Sequence, residues 1–318
     1  MVKIQNELNG WLIIDKPYDM GSTNVVTKLK WLLKPKKIGH AGTLDPLATG
    51  VLPIALGKAT KTIPFVMDGK KTYRFTVKWG MQTSTDDIAG DITASSPKRP
   101  TLAQIKFILP QFIGNIMQTP PIYSALKIDG VRAYELARKG EQINMPSRLV
   151  HIDDLRIIPL NLECHLEPDS YNLGDNTPQN ETMFEVDCGK GTYVRSLARE
   201  MGQMLGCYGH VTFLRRIKCG PFLEKDTILL ANLEKNDYNT NALSIIPVDT
   251  ALSDISVLAI NEVQMKRLMN GQTISCKEFV MRDLSGFTSD TVIGLKFENH
   301  IIALAKIERG GVKPFRIL

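Results

Sequence analysis

The stretch Gly39-His40-Ala41-Gly42-Thr43-Leu44-Asp45-Pro46-Leu47-Ala48-Thr49-Gly50-Val51-Leu52-Pro53 puts a single carboxylate in a loop made largely of glycine, proline and small residues. Glycine admits positive φ and lets the backbone approach a ligand closely. Pro46 restricts the chain on the far side of Asp45. The apolar run at residues 51–56 then reads as a buried strand. On these residues alone Asp45 has two readings. It is the start of a turn closed by Pro46, or it is a carboxylate held in place for chemistry.

The flanks bear on that choice. Residues 24–80 hold eleven Lys and Arg, Lys34, Lys36 and Lys37 among them, against two acids, Asp45 and Asp68. The whole chain carries only +6 over 318 residues, so the positive charge is concentrated here. Such a block suits a polyanion, because phosphates are contacted mainly by Lys and Arg. It would equally serve as a solvated cationic face. A lone carboxylate inside it is electrostatically odd unless it is used.

Periodicity gives the surroundings. Residues 10–14 read as a short buried strand. Residues 24–33 place Val25, Val26, Leu29, Leu32 and Leu33 at helical spacing, with Pro35 as the stop. Residues 71–79 alternate Tyr73, Phe75, Val77 and Trp79 against Thr72, Arg74, Thr76 and Lys78, as a half-buried strand does. Residues 91–100 are polar and expected to be a loop; residues 125–148 look like a charged excursion from the core. Strands are expected at 149–158, 183–188 and 211–217, and a helix at 192–205 with the stripe Val194, Leu197, Ala198, Met201 and Leu205. Residues 169–180 read as a surface insertion and 234–241 as a separator. From residue 248 onward, a helix at 262–269 and strands at 292–297, 301–307 and 312–317 suit a small β-rich module.

Other residues could carry chemistry. Arg195 lies one position off its helix stripe, as a surface arginine or a bidentate partner for a carboxylate. Tyr73 is a core tyrosine or a base-stacking ring. His40 is an exposed loop histidine or a ligand contact. Asp86 and Asp87 lack the ligand pattern of a calcium loop and read as a capped turn. The five cysteines form no C-x-x-C pair and read as buried or incidental thiols. The histidines share no metal-ligand spacing. No apolar run is long enough to span a bilayer, and residues 1–7 lack the apolar stretch of a signal peptide. A cytoplasmic location is therefore expected.

Six ordered motifs resemble the bacterial tRNA pseudouridine-55 synthase family, TruB. They are the 39–53 stretch, Lys71-Thr72-Tyr73-Arg74, residues 83–90, Gln118-Thr119-Pro120-Pro121-Ile122-Tyr123-Ser124-Ala125-Leu126-Lys127, residues 189–195, and Leu214-Arg215-Arg216. The resemblance covers roughly residues 10–222. It implies an α+β pseudouridine synthase fold with a central mixed, largely antiparallel sheet over residues 1–247. Residues 125–148 take the place of an RNA-gripping thumb, and residues 248–318 that of a PUA-like RNA-binding module.

The implied reaction is isomerisation of uridine to pseudouridine at position 55 in the T loop of tRNA. The base is detached from its sugar, turned, and rejoined through C5 to C1′. Nothing is oxidised or hydrolysed, so no cofactor and no metal is expected. By the resemblance, Asp45 is the essential carboxylate and Arg195 its partner. Tyr73 stacks on the target uracil, His40 occupies the gap left by the flipped base, and Tyr193 and Leu214 line the pocket. Lys34, Lys36 and Lys37 are expected to hold backbone phosphates near the T stem-loop. No membrane and no protein partner is expected, and the chain is expected to be a monomer. Two features depart from the family pattern: Asp19 stands where a glycine is usual, and the 169–180 insertion is longer than typical.

Two other functions fit parts of the pattern. An RNA-binding or RNA-folding protein would use the same basic surface, but needs none of Asp45, Tyr73 and Arg195. A glycosidase wants two carboxyls across one bond, and only Asp45 lies in a credible site.

Overall fold

The computed structural model describes residues 8–141, 143–159, 175–234, 243–279, 288 and 291–318. The loop of interest is bracketed by β1 (Gly10–Lys16), β2 (Ile38–His40) and β3 (Thr49–Leu56). β1 runs antiparallel to β3 along its full length, and β2 takes the other edge of β3 near its end. β4 (Lys71–Trp79), β5 (Gly114–Gln118), β6 (Arg148–Ile158), β7 (Glu181–Cys188) and β8 (Gly209–Cys219) complete the main sheet, with the short pieces Phe222–Leu223 and Ile228–Leu229. From the Ile228–Leu229 edge the order is β1, β3, β8, β4, β7, β6, β5. Among the described residues two pairings in this sheet are parallel, that of β1 with the Ile228–Leu229 piece and that of β3 with β8. The sheet is therefore mixed and largely antiparallel, as the sequence implied.

Two helices cover the sheet through the stripes read from the sequence. α1 (Ser22–Leu33) buries Val25 and Leu29 with Leu12, Ile14, Leu52 and Ile54. α2 (Val194–Met204) buries Val194, Leu197, Ala198 and Met201 on Phe75, Val77, Trp79 and Phe184. Tyr73 and Leu214 touch both clusters, so they sit where the two halves of the core meet.

A second, five-stranded sheet follows, built from β9 (Val257–Ala259), β10 (Ile274–Ser275), β11 (Val292–Phe297), β12 (His300–Glu308) and β13 (Gly311–Ile317), with α3 (Glu262–Met269). Its own core includes Leu258, Leu268, Ile293, Leu295 and Val312. It leans on the main sheet's unit through Phe65, packed with Leu252, Ile301 and Leu304, and through Lys61 Nζ donating to Ile317 O at 2.5 Å.

Three local expectations are corrected or extended. Residues 91–100 are not all loop: Ile92–Ser95 pairs with Met81–Thr83. Both strands are short and Ile92 is 62% exposed, so no apolar alternation announces them. The helix Leu102–Ile108 is an addition to the expected elements, and Thr101 and Gln104 form the capping box that starts it. The 125–148 excursion forms a small hairpin, Lys127–Ile128 with Val131–Arg132, followed by the helix Ala133–Arg138. Parts of the 169–180 insertion and the 234–241 separator lie outside the described residues. Among the described residues no helix is long and apolar enough to cross a membrane.

One glycine shows how tightly the loop is set into the sheet. Gly50 has φ +97°, and a Cβ there would lie 2.2 Å from the carbonyl oxygen of Arg216 on the neighbouring strand. Both the backbone angle and the clash oppose a side chain. Gly50→Ala is therefore expected to destabilise the protein by on the order of 3 kcal/mol, read as a lower midpoint in urea unfolding with an unchanged slope.

Candidate active site

The Asp45 loop is held from behind by three side chains on three elements. Lys16, at the end of β1, is fully buried and donates from Nζ to the carbonyls of Pro17 (2.8 Å), Met20 (2.6 Å) and Pro46 (2.9 Å). Burial lowers its pKa to about 8, with the Asp45 carboxylate opposing that shift. Ser22, opening α1, accepts from Leu44 N (2.8 Å) and donates to Leu44 O (3.0 Å). Arg216, on β8, is 1% exposed and donates from Nε to Val51 O (2.8 Å) and from Nη2 to Gly42 O (3.0 Å). Lys16 thus gives its hydrogen bonds to carbonyls of the β1–α1 connection and of Pro46, and Arg216 gives Nε and Nη2 to carbonyls at the two ends of the loop, which leaves the Asp45 carboxylate to another partner.

That partner is Arg195. Its Nη2 donates to Asp45 Oδ1 at 3.1 Å, and its Nε lies 2.8 Å from Oδ2 as a close charge contact without an aligned N–H. Although 150 residues separate them in the chain, the two side chains meet in one site. The arginine side chain is 5% exposed and the aspartate 35%, so of the two the carboxylate is much the more open to a ligand. Three further oxygens position the guanidinium. Nη1 donates to Thr85 O (2.9 Å), Nη2 donates to Tyr123 O (2.9 Å), and Asp87 Oδ2 lies 3.9 Å from Nη1. A cavity at this point is lined by Asp45, Leu47, Asp87, Arg195, Phe213 and Leu214, with four others.

One helical turn beyond Arg195, Arg199 ties the same segments together. It pairs with Asp86 and donates to Thr119 O at 2.5 Å. The turn at Asp86 and Asp87 has the capped character read from the sequence: Asp87 Oδ1 accepts from Thr85 Oγ1 (2.5 Å) and Ala89 N (3.0 Å). What the sequence did not show is that both carboxylates also face arginines of α2. Burial raises the Asp86 pKa to about 6, against the pull of Arg199.

The remaining expected residues fall around this centre. Tyr73 is half-buried beside Arg216, with which it shares a hydrogen bond, and burial pushes its pKa up to about 12. His40, on β2, has its pKa lowered by burial and then by the Arg216 cation. Its Nδ1 is buried without a hydrogen-bond partner. Tyr193 caps the start of α2, with the Arg148 guanidinium 5.6 Å from its ring centre. Leu214 lines the cavity, whereas Tyr73, His40 and Tyr193 are not among its lining residues. Lys34, Lys36 and Lys37 are exposed at the end of α1. Among the described residues, no group of three or more His, Cys, Asp or Glu is placed to hold a metal ion. Cys188, Cys207 and Cys219 are free and buried.

Such a site, on a mixed sheet beside a cationic helix, defines a class, and the comparisons with known proteins identify it. A model of the TruB family pseudouridylate synthase N-terminal domain matches residues 30–194, and one of the tRNA pseudouridylate synthase B C-terminal domain matches residues 195–253. The chain belongs to the TruB family of pseudouridylate synthases. It is 48% identical to the tRNA pseudouridine synthase B of Rhizobium etli, over 98% of this chain and 96% of that one. The protein of the same name from Brucella anthropi is 43% identical, over 98% and 95%. Two solved structures share the fold. One is a Cbf5-Nop10-Gar1 complex, with TM-score 0.69, 22% identity, and coverage of 97% of this chain and 84% of that one. The other is an H/ACA RNP bound to a substrate RNA containing 2′-deoxyuridine, with TM-score 0.70, 20% identity, and coverage of 99% and 85%.

The Asp86–Arg199 pair makes the site sensitive to acid. Below about pH 6 the Asp86 carboxylate is protonated and no longer offers a charge to Arg199. The single-turnover rate of pseudouridine formation is expected to fall as pH drops through about 6. Asp86→Asn should lose that acid limb and remain, near neutral pH, at the low rate the wild type reaches in acid.

Proposed function

We propose that this chain isomerises uridine to pseudouridine in tRNA, at position 55 of the T loop, with Asp45 as the essential carboxylate and the target base flipped out of the RNA. The observation that carries this reading is the Asp45–Arg195 pair, which lines one cavity with the carboxylate partly exposed and the arginine almost wholly buried.

The reaction breaks the bond from N1 to C1′ and forms one from C5 to C1′, while a proton leaves C5 and N1 gains one. Atoms are conserved within the nucleotide, so the enzyme must hold the base through its turn. Extruding it costs a few kcal/mol, and stacking on an aromatic ring returns on the order of 1–3 kcal/mol. Tyr73 is assigned that stacking. With its pKa near 12 it stays a neutral phenol, suited to packing and hydrogen bonding rather than to acting as a base. His40, with a pKa below the ordinary 6.5, is neutral near pH 7 and is assigned the gap left by the base rather than a phosphate. Tyr193 and Leu214 are assigned to the pocket wall. Asp45 acts on the sugar, by attack at C1′ or by taking a sugar proton; both routes use the same exposed carboxylate.

Around this centre, residues 1–247 would form the catalytic unit and residues 248–318 a PUA-like RNA-binding module. Residues 125–148 would act as a thumb gripping the RNA, where Arg132 and Arg138 flank the Tyr134 ring at 5.9 and 5.6 Å. Lys34, Lys36 and Lys37 would hold phosphates. The enzyme would act as a monomer, without need of a protein partner.

Incubation with unmodified tRNA transcript and chemical mapping of pseudouridine tests the proposal; product at another uridine, or none, would count against it. Asp45→Asn should bring product formation below detection and leave tRNA affinity within about threefold, since the carboxylate is one contact among many cationic ones. Parallel loss of binding would make Asp45 structural. Charge reversal at Lys34, Lys36 or Lys37 should weaken binding to any RNA and flatten its salt dependence. His40→Ala should instead slow the single-turnover step with the salt slope nearly unchanged.

A further inference from the structure

The chain has three tryptophans, and they are treated very differently. Trp11 and Trp79 are completely buried, whereas Trp31 is 75% exposed. A large ring left in water asks for a reason, because burying it elsewhere would stabilise the fold. Trp31 is not part of the core stripe of α1, which Val25 and Leu29 supply. It lies near the C-terminal end of the helix. Lys28, three residues earlier, is on the same helix face, and Lys34, exposed, is the left-handed residue that ends the helix three positions later. Lys30, Lys36 and Lys37 are close in sequence, and α1 contains no acid.

The helix is also tied to the site. Its first residue, Ser22, exchanges hydrogen bonds with Leu44, next to Asp45. Nine residues of helix, at about 1.5 Å each, put the backbone of Trp31 about 14 Å along the axis from Ser22. An exposed aromatic ring flanked by lysines is the arrangement that takes unpaired nucleic acid, with the base on the ring and its phosphates on the cations. Bases inside a duplex have both faces covered by stacked neighbours, so the occupant is an unpaired nucleotide turned out of the stack.

We infer that Trp31, with Lys28 and Lys34, is a further RNA contact: a platform on which an unpaired nucleotide of the substrate, outside the pocket, stacks. The inference rests on the reading of this chain as a tRNA-modifying enzyme. It assigns Trp31 to affinity and placement of the RNA, not to the chemical step.

Because the other two tryptophans are buried, Trp31 is the fluorophore open to acrylamide. Quenching is measured on the free full-length protein and on the protein saturated with unmodified tRNA transcript. Saturation should shield Trp31, and Trp31→Phe should remove the quenchable component. Trp31→Ala should weaken tRNA binding about 10-fold or more, Trp31→Phe by less than about threefold, and both should keep the wild-type single-turnover rate at saturating tRNA. If the complex forms and pseudouridine is made while Trp31 stays fully open to acrylamide, the platform is refuted and the function stands. Unchanged affinity in Trp31→Ala refutes it equally. If the wild type neither binds tRNA nor modifies it, the functional reading falls and the platform with it. Shielding that grows with protein concentration in the absence of RNA would assign the ring to a second copy and overturn the inference.

Discussion

A guanidinium almost without access to water lies behind the Asp45 loop, and the arrangement of the site depends on it. Arg216 gives its Nε and Nη2 to Val51 and Gly42, so it grips the Asp45 loop from both ends. Its backbone pairs with Gly50 on one side and Tyr73 on the other, which puts the loop, the arginine and the tyrosine in one row across the sheet. A buried cation is costly unless its donors are matched, and here the loop carbonyls match them. Burial depresses the His40 pKa and the Arg216 cation adds to it, and the same guanidinium shares a hydrogen bond with Tyr73. The loop is therefore a rigid object, shaped by a cation it encloses.

Arg195 does for the front of the site what Arg216 does for the back. It takes oxygens from the 83–90 turn and from Tyr123, and meets Asp45 on the face turned to the cavity. Arg199, one turn along α2, repeats the linkage through Asp86 and Thr119. Three segments distant in the chain are thus drawn to one helix by ion pairs and by hydrogen bonds to backbone carbonyls. Such a network is stringent: removing one partner leaves others buried and unmatched. Its rigidity suits chemistry in which a base must leave its sugar, turn, and return to a neighbouring atom without escaping.

Much of this is legible in the sequence, and the reasons are physical. The stripe of α2 and the alternation of β4 follow from periods of 3.6 and 2, which burial on one face imposes on any sequence. Both elements lie within a residue or two of where those periods put them. The pairing of Met81–Thr83 with Ile92–Ser95 is not legible, because both strands are short and the second is mostly exposed, so burial wrote no pattern there. The roles of Lys16 and Arg216 are hidden as well, because lysine and arginine are ordinarily exposed. Nothing local marks the few whose charge ends among backbone carbonyls.

By itself the sequence determined the element periods, the cationic bias of residues 24–80, and a loop whose glycines and proline could hold one carboxylate still. It also carried, through its ordered motifs, the family. Only the tertiary structure decided which cation each carboxylate meets and which side chains are sealed from water. In the sequence Asp45 is as compatible with a simple turn as with catalysis, and nothing there shows that Arg195 comes to lie beside it from 150 residues away. Hydrogen bonds and ion pairs act over a few ångströms of space, and that proximity is set by how the sheet and helices pack, not by spacing along the chain.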